Sequence, residues 1–518
     1  MRITDAIKLG PTARASAFLE EALLISICMH LLAMCSMVLL LPGLPGGVHR
    51  TVAGRAAYVA GNHWLWRIGW VPWQLTAGSN LLLAAALLRT KWIPRLPAIF
   101  TALVTIAAVI PDQTGEVSWM WAGPAIAGRA VRVAEYSTYA RYEARIFVQV
   151  AGWAAMGYIL AALGWTWCFV AAGIWSRRLT VLSWLVWPIF VAATVAVLLP
   201  ARIARLPGIG MAVGAGNAVG FVLLLLWLAG VAELVLRRSR PDALMGRYAM
   251  FRHPATGLLG RICDVLANAR LARAVGEHLP ALALASDITD VIYANYLVEA
   301  DRLERFVDPP VRLQRIGPDG RYALFTFLTF HHGHFGPRCF GPLRRLWPSP
   351  IQSNWRVYVF DPATGRRGIQ FLAIAITRTP FALAARLLAE NIPMHVPATA
   401  RFSSDGKGQF HLEVDPGSGT APDVRAIFQP SPTSILPDPW NRCFENWHAM
   451  LAYCVPQDRA MSAQPWRGCV TRQEIILDIP LNSCLPMHGK VASAAARAIA
   501  GDAAPLCFLV ERLDFRLL

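Results

Sequence analysis

Several signatures that would assign a function directly are missing from this sequence of 518 residues. Its ten cysteines form no CxxC pair, so neither a zinc finger nor a redox dithiol is expected, and a reducing compartment is favoured. Glycine-rich nucleotide loops, zinc-protease helices and serine-nucleophile elbows are missing as well. We therefore predict no cofactor and no bound metal.

The distribution of charge argues against nucleic acid as a partner. The net charge is +17, but the basic residues are scattered beside apolar runs and form no continuous stripe. Arginine beside an apolar run is typical of the cytoplasmic flank of a membrane helix, where it meets anionic lipid. We therefore predict the lipid bilayer, and no nucleic acid, as a partner of this chain.

Hydrophobicity divides the chain into two parts. Hydrophobic residues make up 55% of the sequence, and long apolar runs repeat through residues 1–240. This pattern predicts an α-helical polytopic membrane domain. Residues 241–279 are predicted to form a basic linker with an amphipathic helix over residues 257–275. Residues 280–518 have the composition of a globular α+β domain.

Six apolar runs are candidates to cross a bilayer, whose hydrocarbon core of about 30 Å needs about 20 helical residues. The first run begins after Glu20 and Glu21 and is too long for a signal-peptide core, so it is interpreted as a retained helix. The third run is short. If it does not cross, five spans remain, and the C-terminal domain would lie on the side of the membrane opposite to the N-terminus. The predicted spans cover about residues 22–41, 70–88, 96–110, 146–175, 179–199 and 209–236.

Basic residues are somewhat more frequent in the segments that six spans would place on the same side as both termini. These segments contain Arg2, Lys8, Arg14, Arg89, Lys91, Arg95, Arg177, Arg178, Arg237, Arg238 and Arg240. The positive-inside rule then predicts cytoplasmic N- and C-termini for a bacterial-type inner-membrane protein.

Aromatic and acidic residues near the spans allow more than one interpretation. Residues 111–116 carry Asp112 and Glu116 and are predicted to form a solvated polar loop, with cation binding or gating of a pathway as the alternative. Four tryptophans at the start of the second span predict an interfacial belt, with an aromatic ligand cage as the alternative. They are Trp64, Trp66, Trp70 and Trp73.

Polar side chains within apolar runs predict contacts between helices. His30 shares a helix face with Met34 and Met37, but these three donors are too few for a metal or haem site. An interhelical hydrogen bond from His30 is therefore predicted. Gln74, Asn80 and Gln149 are given the same role.

The C-terminal part contains short segments rich in β-branched and aromatic residues, separated by turns. Many antiparallel strands with few helices predict a closed or nearly closed barrel. The clearest strand segments are residues 287–296, 311–316, 322–330, 355–360 and 368–376.

Part of this pattern resembles a known family. The strand of residues 353–359, the turn from Gly365 to Gly368, the strand of residues 369–377 and the helix of residues 385–388 follow one another in its order. The family is the uncharacterised YqjF-like family of the acetoacetate decarboxylase-like superfamily. The resemblance covers about residues 280–518 and implies a β-cone or barrel that encloses a small apolar cavity.

Decarboxylating members of that superfamily form a Schiff base through a buried lysine of lowered pKa. The C-terminal part has only Lys407, in a predicted hairpin turn, and Lys490, in a predicted late loop. No second lysine adjoins either one to lower its pKa. The sequence therefore predicts no catalytic residue and no Schiff-base decarboxylation.

Three residues are candidates for ligand binding. Arg356 could meet a ligand carboxylate inside the barrel, or it could point outward to solvent. His332 and His334 belong to a segment with three imidazoles in five residues, which could contact a ligand or be an ordinary polar strand end. No fourth ligand is placed by a motif, so no metal site is predicted.

These observations favour an integral membrane protein whose cytoplasmic barrel binds or senses a small organic ligand. The first alternative is an enzyme, a lyase or hydrolase acting on a small organic acid without the lysine mechanism. The second is a transporter with an accessory barrel domain. The sequence does not indicate an oligomeric state.

Overall fold

The chain forms two compact units in the computed structural model, and each is described by itself. One contains Gly10–Ser239, and the other contains Arg240–Leu518 together with Met1–Leu9. The structure describes residues 3–6, 11–199, 209–240, 250–279, 283–389, 392–456, 459–464, 469–477 and 479–517.

The first unit, here called the helical unit, consists of helices connected by short segments. A π-helical turn over Val148–Ala154 joins its fifth and sixth helices into one rod. The helices are α1 (Pro11–Leu40), α2 (Val52–Gly61), α3 (His63–Arg89), α4 (Arg95–Val133), α5 (Ser137–Phe147), α6 (Ala155–Ala171), α7 (Arg177–Leu198) and α8 (Ile209–Ser239).

Six helical segments of this unit are long and apolar enough to cross a membrane. The helix that contains the third predicted span is longer than the apolar run of residues 96–110, because α4 continues through Pro111 to Val133. The polar loop predicted for residues 111–116 is therefore wrong, and Asp112 and Glu116 lie buried within α4. Helices tolerate internal proline where neighbouring helices satisfy the released backbone groups. The backbone group that Pro111 releases is the Ala107 carbonyl. The Gln149 side-chain amide donates instead to the Pro111 carbonyl at 2.9 Å, which connects this turn of α4 to the π-helical turn.

Tryptophans form the core of the helical unit. Trp66 is fully buried, and its indole N–H donates to the Trp119 carbonyl at 2.9 Å. Trp70 stacks on Trp119 with 5.3 Å between ring centroids. The predicted interfacial belt is therefore wrong for Trp66 and Trp70, whereas Trp64 is 64% exposed.

Three of the predicted interhelical hydrogen bonds are present, and one of them joins the Asn80 side chain of α3 to Tyr158 of α6. Gln74 of α3 donates to Glu116 of α4 at 2.7 Å, and Gln149 reaches α4 as described above. The prediction for His30 is wrong, because its Nδ1 donates to the carbonyl of Ser26 in the same helix at 2.7 Å.

An ion pair connects α2 to α5. Both guanidinium nitrogens of Arg55 that face Glu143 donate to its carboxylate, Nε at 2.7 Å and Nη2 at 2.6 Å. Both side chains are buried, with 9% and 5% of their surface exposed. The two-pronged geometry offsets the cost of removing both charges from water.

The second unit, here called the sheet unit, contains one sheet of 14 strands. Its strands are β1 (Ile3–Ala6), β2 (Leu284–Glu299), β3 (Arg312–Leu313), β4 (Tyr322–Pro337), β5 (Ile351–Phe360), β6 (Arg367–Ile376), β7 (Met394–His395), β8 (Thr399–Ser404), β9 (Phe410–Asp415), β10 (Val424–Pro430), β11 (Arg459–Gln464), β12 (Cys469–Leu477), β13 (Leu485–Ala492) and β14 (Leu506–Leu517).

The strand path differs from the predicted antiparallel barrel. Neighbouring strands follow the order β1-β12-β11-β6-β5-β4-β2-β14-β13-β10-β9-β8, and its two end strands do not pair with each other. Three residues of β12 also pair with β14, which lies elsewhere on the path. The pairings of β6 with β7 and with β11 are parallel, so the sheet is mixed. The sequence predicted a closed or nearly closed antiparallel barrel, and the antiparallel part of that prediction is wrong for these two pairings of β6.

Hydrophobic clusters cover both faces of the central strands. On β5, Tyr358 belongs to one cluster, whereas Trp355 and Val357 belong to the other. Successive residues of a strand point to opposite faces, so β5 is buried on both sides. Helix α13 (Trp447–Cys454) contributes Met450, Leu451 and Cys454 to the cluster that contains Tyr358.

Short helices accompany the sheet. The amphipathic helix predicted for residues 257–275 is two helices, because the first ends at Ala267 and the second begins at Arg270. The helices of this unit are α9 (Leu258–Ala267), α10 (Arg270–His278), α11 (Ala300–Glu304), α12 (Thr379–Leu388), α13 (Trp447–Cys454) and α14 (Ala494–Ala500).

The buried ion pair predicts a specific loss of stability. Arg55→Gln would leave the Glu143 carboxylate buried without its cation, which costs about 3–5 kcal/mol, whereas an exposed pair contributes about 1 kcal/mol or less. We expect this variant to lower the thermal unfolding midpoint of the detergent-solubilised protein by several degrees. The control Arg237→Gln removes an exposed pair with Glu233 and should shift it little. Equal midpoints for the two variants would contradict the prediction.

Candidate functional site

Arg356 is placed in the interior of the sheet unit. It lies on β5 opposite Thr326 of β4, beside a register shift between β5 and β6. The residue is 3% exposed, so the outward orientation considered from the sequence is wrong. It lies on the strand face that also carries Tyr358, because residues two apart on a strand share a face.

Aromatic rings and weak hydrogen bonds surround this guanidinium. Its Cζ lies 5.5 Å from the ring centroid of Tyr293 and 5.6 Å from that of Tyr358. Its Nη2 donates to the Tyr358 hydroxyl at 3.5 Å and to the Cys454 carbonyl at 3.4 Å. Its Nε has no hydrogen-bond partner. The donors of Arg356 are therefore only partly satisfied by the protein.

Within the part of the chain that the structure describes, no carboxylate pairs with Arg356. Nor do its neighbours supply a negative charge. Burial raises the pKa of the Tyr358 phenol above its ordinary value, and it raises the pKa of the Cys454 thiol to about 12. Both groups are therefore neutral near pH 7. A buried cation without an opposite charge is costly, and an anionic ligand would offset that cost.

A line of hydrogen bonds leads from Arg356 across the neighbouring strands. The Tyr358 hydroxyl donates to the Cys454 carbonyl at 3.0 Å and lies 3.2 Å from the Thr326 hydroxyl. Thr326 in turn donates to the side-chain carbonyl of Asn295 at 2.8 Å. These contacts fix the orientation of the Tyr358 hydroxyl and the Cys454 carbonyl, the two groups to which Arg356 donates.

His332 lies further along β4 in a polar group of its own. Its Nε2 donates to the Gln352 side-chain oxygen at 2.9 Å, and its Nδ1 lies 2.8 Å from the Ser286 hydroxyl. Burial lowers the pKa of His332 to about 4, a change that the Gln352 hydrogen bond opposes. Its ring also stacks on Phe335 at 4.2 Å. His332 is therefore a neutral imidazole held between two strands.

The other two imidazoles of this segment have different surroundings. His331 contacts the Phe402 carbonyl through Nε2 at 2.9 Å and stacks on that ring. His334 is half-buried, and its backbone has φ of 53°, in the left-handed region. Its buried Nδ1 has no hydrogen-bond partner. The described contacts do not bring the three rings together around one point.

Arg356 and the two histidines do not form one site. Thr326, the strand neighbour of Arg356, precedes His332 by six residues, which corresponds to about 20 Å of strand. Sequence reasoning missed Tyr293, Tyr358 and Asn295 as neighbours of Arg356. One sequence signal could have identified Tyr358, because it follows Arg356 by two positions on a predicted strand and therefore lies on the same face.

Both lysines of the C-terminal part are exposed. Lys407 lies in the turn between β8 and β9, as predicted. Lys490 lies on strand β13, paired with Ile427, so its predicted loop location is wrong. Exposed amines keep their full hydration, which does not favour the neutral form that Schiff-base formation needs.

No protein-family model matches the chain, and no curated protein matches it. Similar solved structures include the enduracididine biosynthesis enzyme MppR with HEPES bound, at 13% identity and a TM-score of 0.33, covering 46% of this chain and 86% of MppR. MppR complexed with pyruvate has 13% identity and a TM-score of 0.31, covering 46% of this chain and 90% of MppR.

An acetoacetate decarboxylase-like enzyme from Sphingomonas wittichii RW1 is also similar. It has 8% identity and a TM-score of 0.33, covering 46% of this chain and 92% of that enzyme. Such low values do not carry the activities of these enzymes over to this chain.

The buried imidazole predicts a pH-dependent stability. His332 takes up a proton at about pH 4 when folded, against about pH 6.5 in an unfolded chain. The unfolded state therefore binds more protons between these values, so stability is full above pH 6.5 and falls as the pH drops toward 4. The loss from this residue amounts to about 3 kcal/mol.

Thermal unfolding followed by circular dichroism from pH 7 to pH 4.5 measures this effect. His332→Gln should show a smaller fall of the midpoint than the unsubstituted protein. The exposed His488→Gln, a matched control, should retain the full fall. Parallel curves for all three proteins would refute the assignment.

Proposed function

We propose that this chain is a multi-pass membrane protein whose sheet unit binds a small organic anion. Arg356 receives the negatively charged group of that ligand. The proposal rests on the state of this buried guanidinium. Arg356 is 3% exposed, its Nε has no hydrogen-bond partner, and no carboxylate among the described residues pairs with it. A ligand carboxylate offers the two-pronged hydrogen bonding that suits arginine.

The surroundings of Arg356 support an organic ligand over a simple inorganic anion. Tyr293 and Phe508 stack at 4.5 Å beside it, within the large apolar cluster that also contains Tyr358. Small-molecule sites are mostly apolar, with a few polar groups that fix the ligand's orientation. We infer a partly apolar acid as the ligand class.

The sheet unit is proposed to belong to the acetoacetate decarboxylase-like superfamily, near the YqjF-like family. The order of β5, β6 and α12 agrees with the resemblance seen in residues 353–388. Because both lysines of this region are exposed, a role in binding or sensing is favoured over Schiff-base catalysis.

Ligand binding to full-length protein tests the role of Arg356. Acetoacetate serves as the carboxylate probe, and acetoacetamide as its neutral counterpart. By isothermal titration, we expect acetoacetate to bind more tightly, and Arg356→Gln to weaken its binding by about 10-fold or more. The exposed Arg401→Gln is the matched control and should bind like the unsubstituted protein.

Two results would contradict the proposal. Equal binding of acetoacetate and acetoacetamide would mean that charge is not recognised, and this comparison needs no variant. Full retention of acetoacetate binding by Arg356→Gln would mean that the guanidinium has a purely structural role.

The chain is further proposed to lie in a bacterial-type inner membrane with both termini in the cytoplasm. The modest excess of arginine in the corresponding segments supports this orientation. A green fluorescent reporter fused after Leu518 should fluoresce, whereas a periplasmic alkaline phosphatase fused there should be inactive. Active phosphatase with a dark fluorescent fusion would reverse the orientation.

A further inference from the structure

A cavity lies inside the helical unit, apart from the site around Arg356. Its volume is about 250 Å³, and its lining comes from helices α1 and α3 to α8, the π-helical turn and Leu44. This is close to the lower end of the pockets that take small molecules, about 300 Å³. The cavity is therefore large enough for an organic molecule of modest size.

Two carboxylates line this cavity. Asp112 and Glu116 are four residues apart on α4, so they lie on the same face of the helix. The Tyr158 hydroxyl donates to Asp112 at 2.7 Å, and Gln74 donates to Glu116 at 2.7 Å. The Gln113 amide lies 3.4 Å from an oxygen of each carboxylate. These neutral donors orient the carboxylates but supply no positive charge.

The described residues that line the cavity include no lysine or arginine, and the imidazole among them, His30, donates its Nδ1 proton to the Ser26 carbonyl. The buried arginine of this unit, Arg55, is already paired with Glu143. Asp112 and Glu116 are 6% and 2% exposed, so water does little to stabilise their charge. Burying neighbouring carboxylates is costly unless a cation or a proton compensates them.

The cavity also contains a polar group that lacks its partner. Asn80 is 5% exposed and lines the cavity, and its side-chain oxygen accepts no hydrogen bond within the described structure. A buried acceptor without a donor is rare in folded proteins. A ligand that donates N–H groups would satisfy both this oxygen and the two carboxylates.

The remaining walls favour an organic cation over a metal ion. Five tryptophans line the cavity, and indole faces attract organic cations through their ring electrons. Small metal ions instead prefer a shell of several oxygen ligands. The five are Trp70, Trp73, Trp119, Trp165 and Trp187.

We propose that this cavity binds a protonated organic amine. Its ammonium group lies at Asp112 and Glu116 and donates to the side-chain oxygen of Asn80. Its apolar part lies against the tryptophans. This inference is independent of the anion site in the sheet unit.

Binding of 2-phenylethylammonium to the full-length protein in nanodiscs tests the proposal. The neutral 2-phenylethanol has nearly the same shape, and tryptophan fluorescence with empty nanodiscs as blanks reports both. We expect the ammonium probe to bind roughly 10- to 100-fold more tightly, since hydrogen bonds to a charged group are stronger than neutral ones. This comparison uses the unsubstituted protein, so it does not depend on a variant's folding.

Variants then locate the charge recognition. Asp112→Asn with Glu116→Gln should abolish the preference for the ammonium probe while leaving weak binding of the alcohol. Glu21→Gln, the same change at an exposed position of α1, should keep the preference.

Three outcomes would overturn the proposal. Equal affinity for 2-phenylethylammonium and 2-phenylethanol would indicate an apolar or lipid-filled cavity whose carboxylates are protonated. Retained preference in the doubly substituted protein would place charge recognition elsewhere. Displacement of the ammonium probe by millimolar sodium or potassium chloride, but not by choline chloride, would indicate a site for an inorganic ion.

Discussion

Compensation of buried charge is the constraint on which both units of this protein depend. A charged group that folding removes from water needs an opposite charge or well-placed dipoles, and a chain rarely keeps one without them. Arg55 and Glu143 meet this requirement within the protein through two short hydrogen bonds. Arg356 in the sheet unit and the pair Asp112 and Glu116 in the helical unit meet it only in part. The two incomplete sites therefore differ from the buried ion pairs of this protein, which are Arg55 with Glu143, Arg240 with Glu277 and Arg472 with Asp361.

The two incomplete sites have opposite signs and similar designs. Around Arg356, tyrosine rings and a carbonyl surround a cation. Around Asp112 and Glu116, neutral donors hold two carboxylates beside tryptophans. In each case, neutral groups fix the direction of the charged group without neutralising it, which keeps the charge available for a ligand. Aromatic walls give each site an apolar part, so an amphiphilic organic ion suits both.

The sequence predicted the apolar helices well, because a run of about 20 apolar residues has few soluble interpretations. It failed at residues 111–116, where proline, aspartate and glycine have the composition of a turn. Contacts with other helical segments override that local preference, because Gln149, Tyr158 and Gln74 donate to the Pro111 carbonyl, Asp112 and Glu116. The burial of Asp112 and Glu116 therefore depends on residues more than 30 positions away in the sequence. The local sequence pattern around residues 111–116 gives no information about those residues.

The sequence also predicted the strands that form the core of β2, β4, β5 and β6, but not β10, β11, β13 or the burial of Arg356. Period-two alternation identifies an inner face only when the other face is exposed to water. On β5 both faces are covered, so Trp355 and Arg356 are both buried although they point in opposite directions. The sequence also did not predict that the sheet has parallel as well as antiparallel pairings. The parallel pairing of β11 with β6 joins segments about 90 residues apart in the sequence.

The first strand of the chain has a consequence for the number of membrane crossings. Strand β1, which precedes all the helices of the helical unit, pairs with β12, which follows them all. A polypeptide that leaves a sheet and later rejoins the same sheet must return to the side from which it started. If the helices between those strands cross a bilayer, the number of crossings is therefore even. An even number agrees with the six helices, among the described residues, that are long and apolar enough to cross.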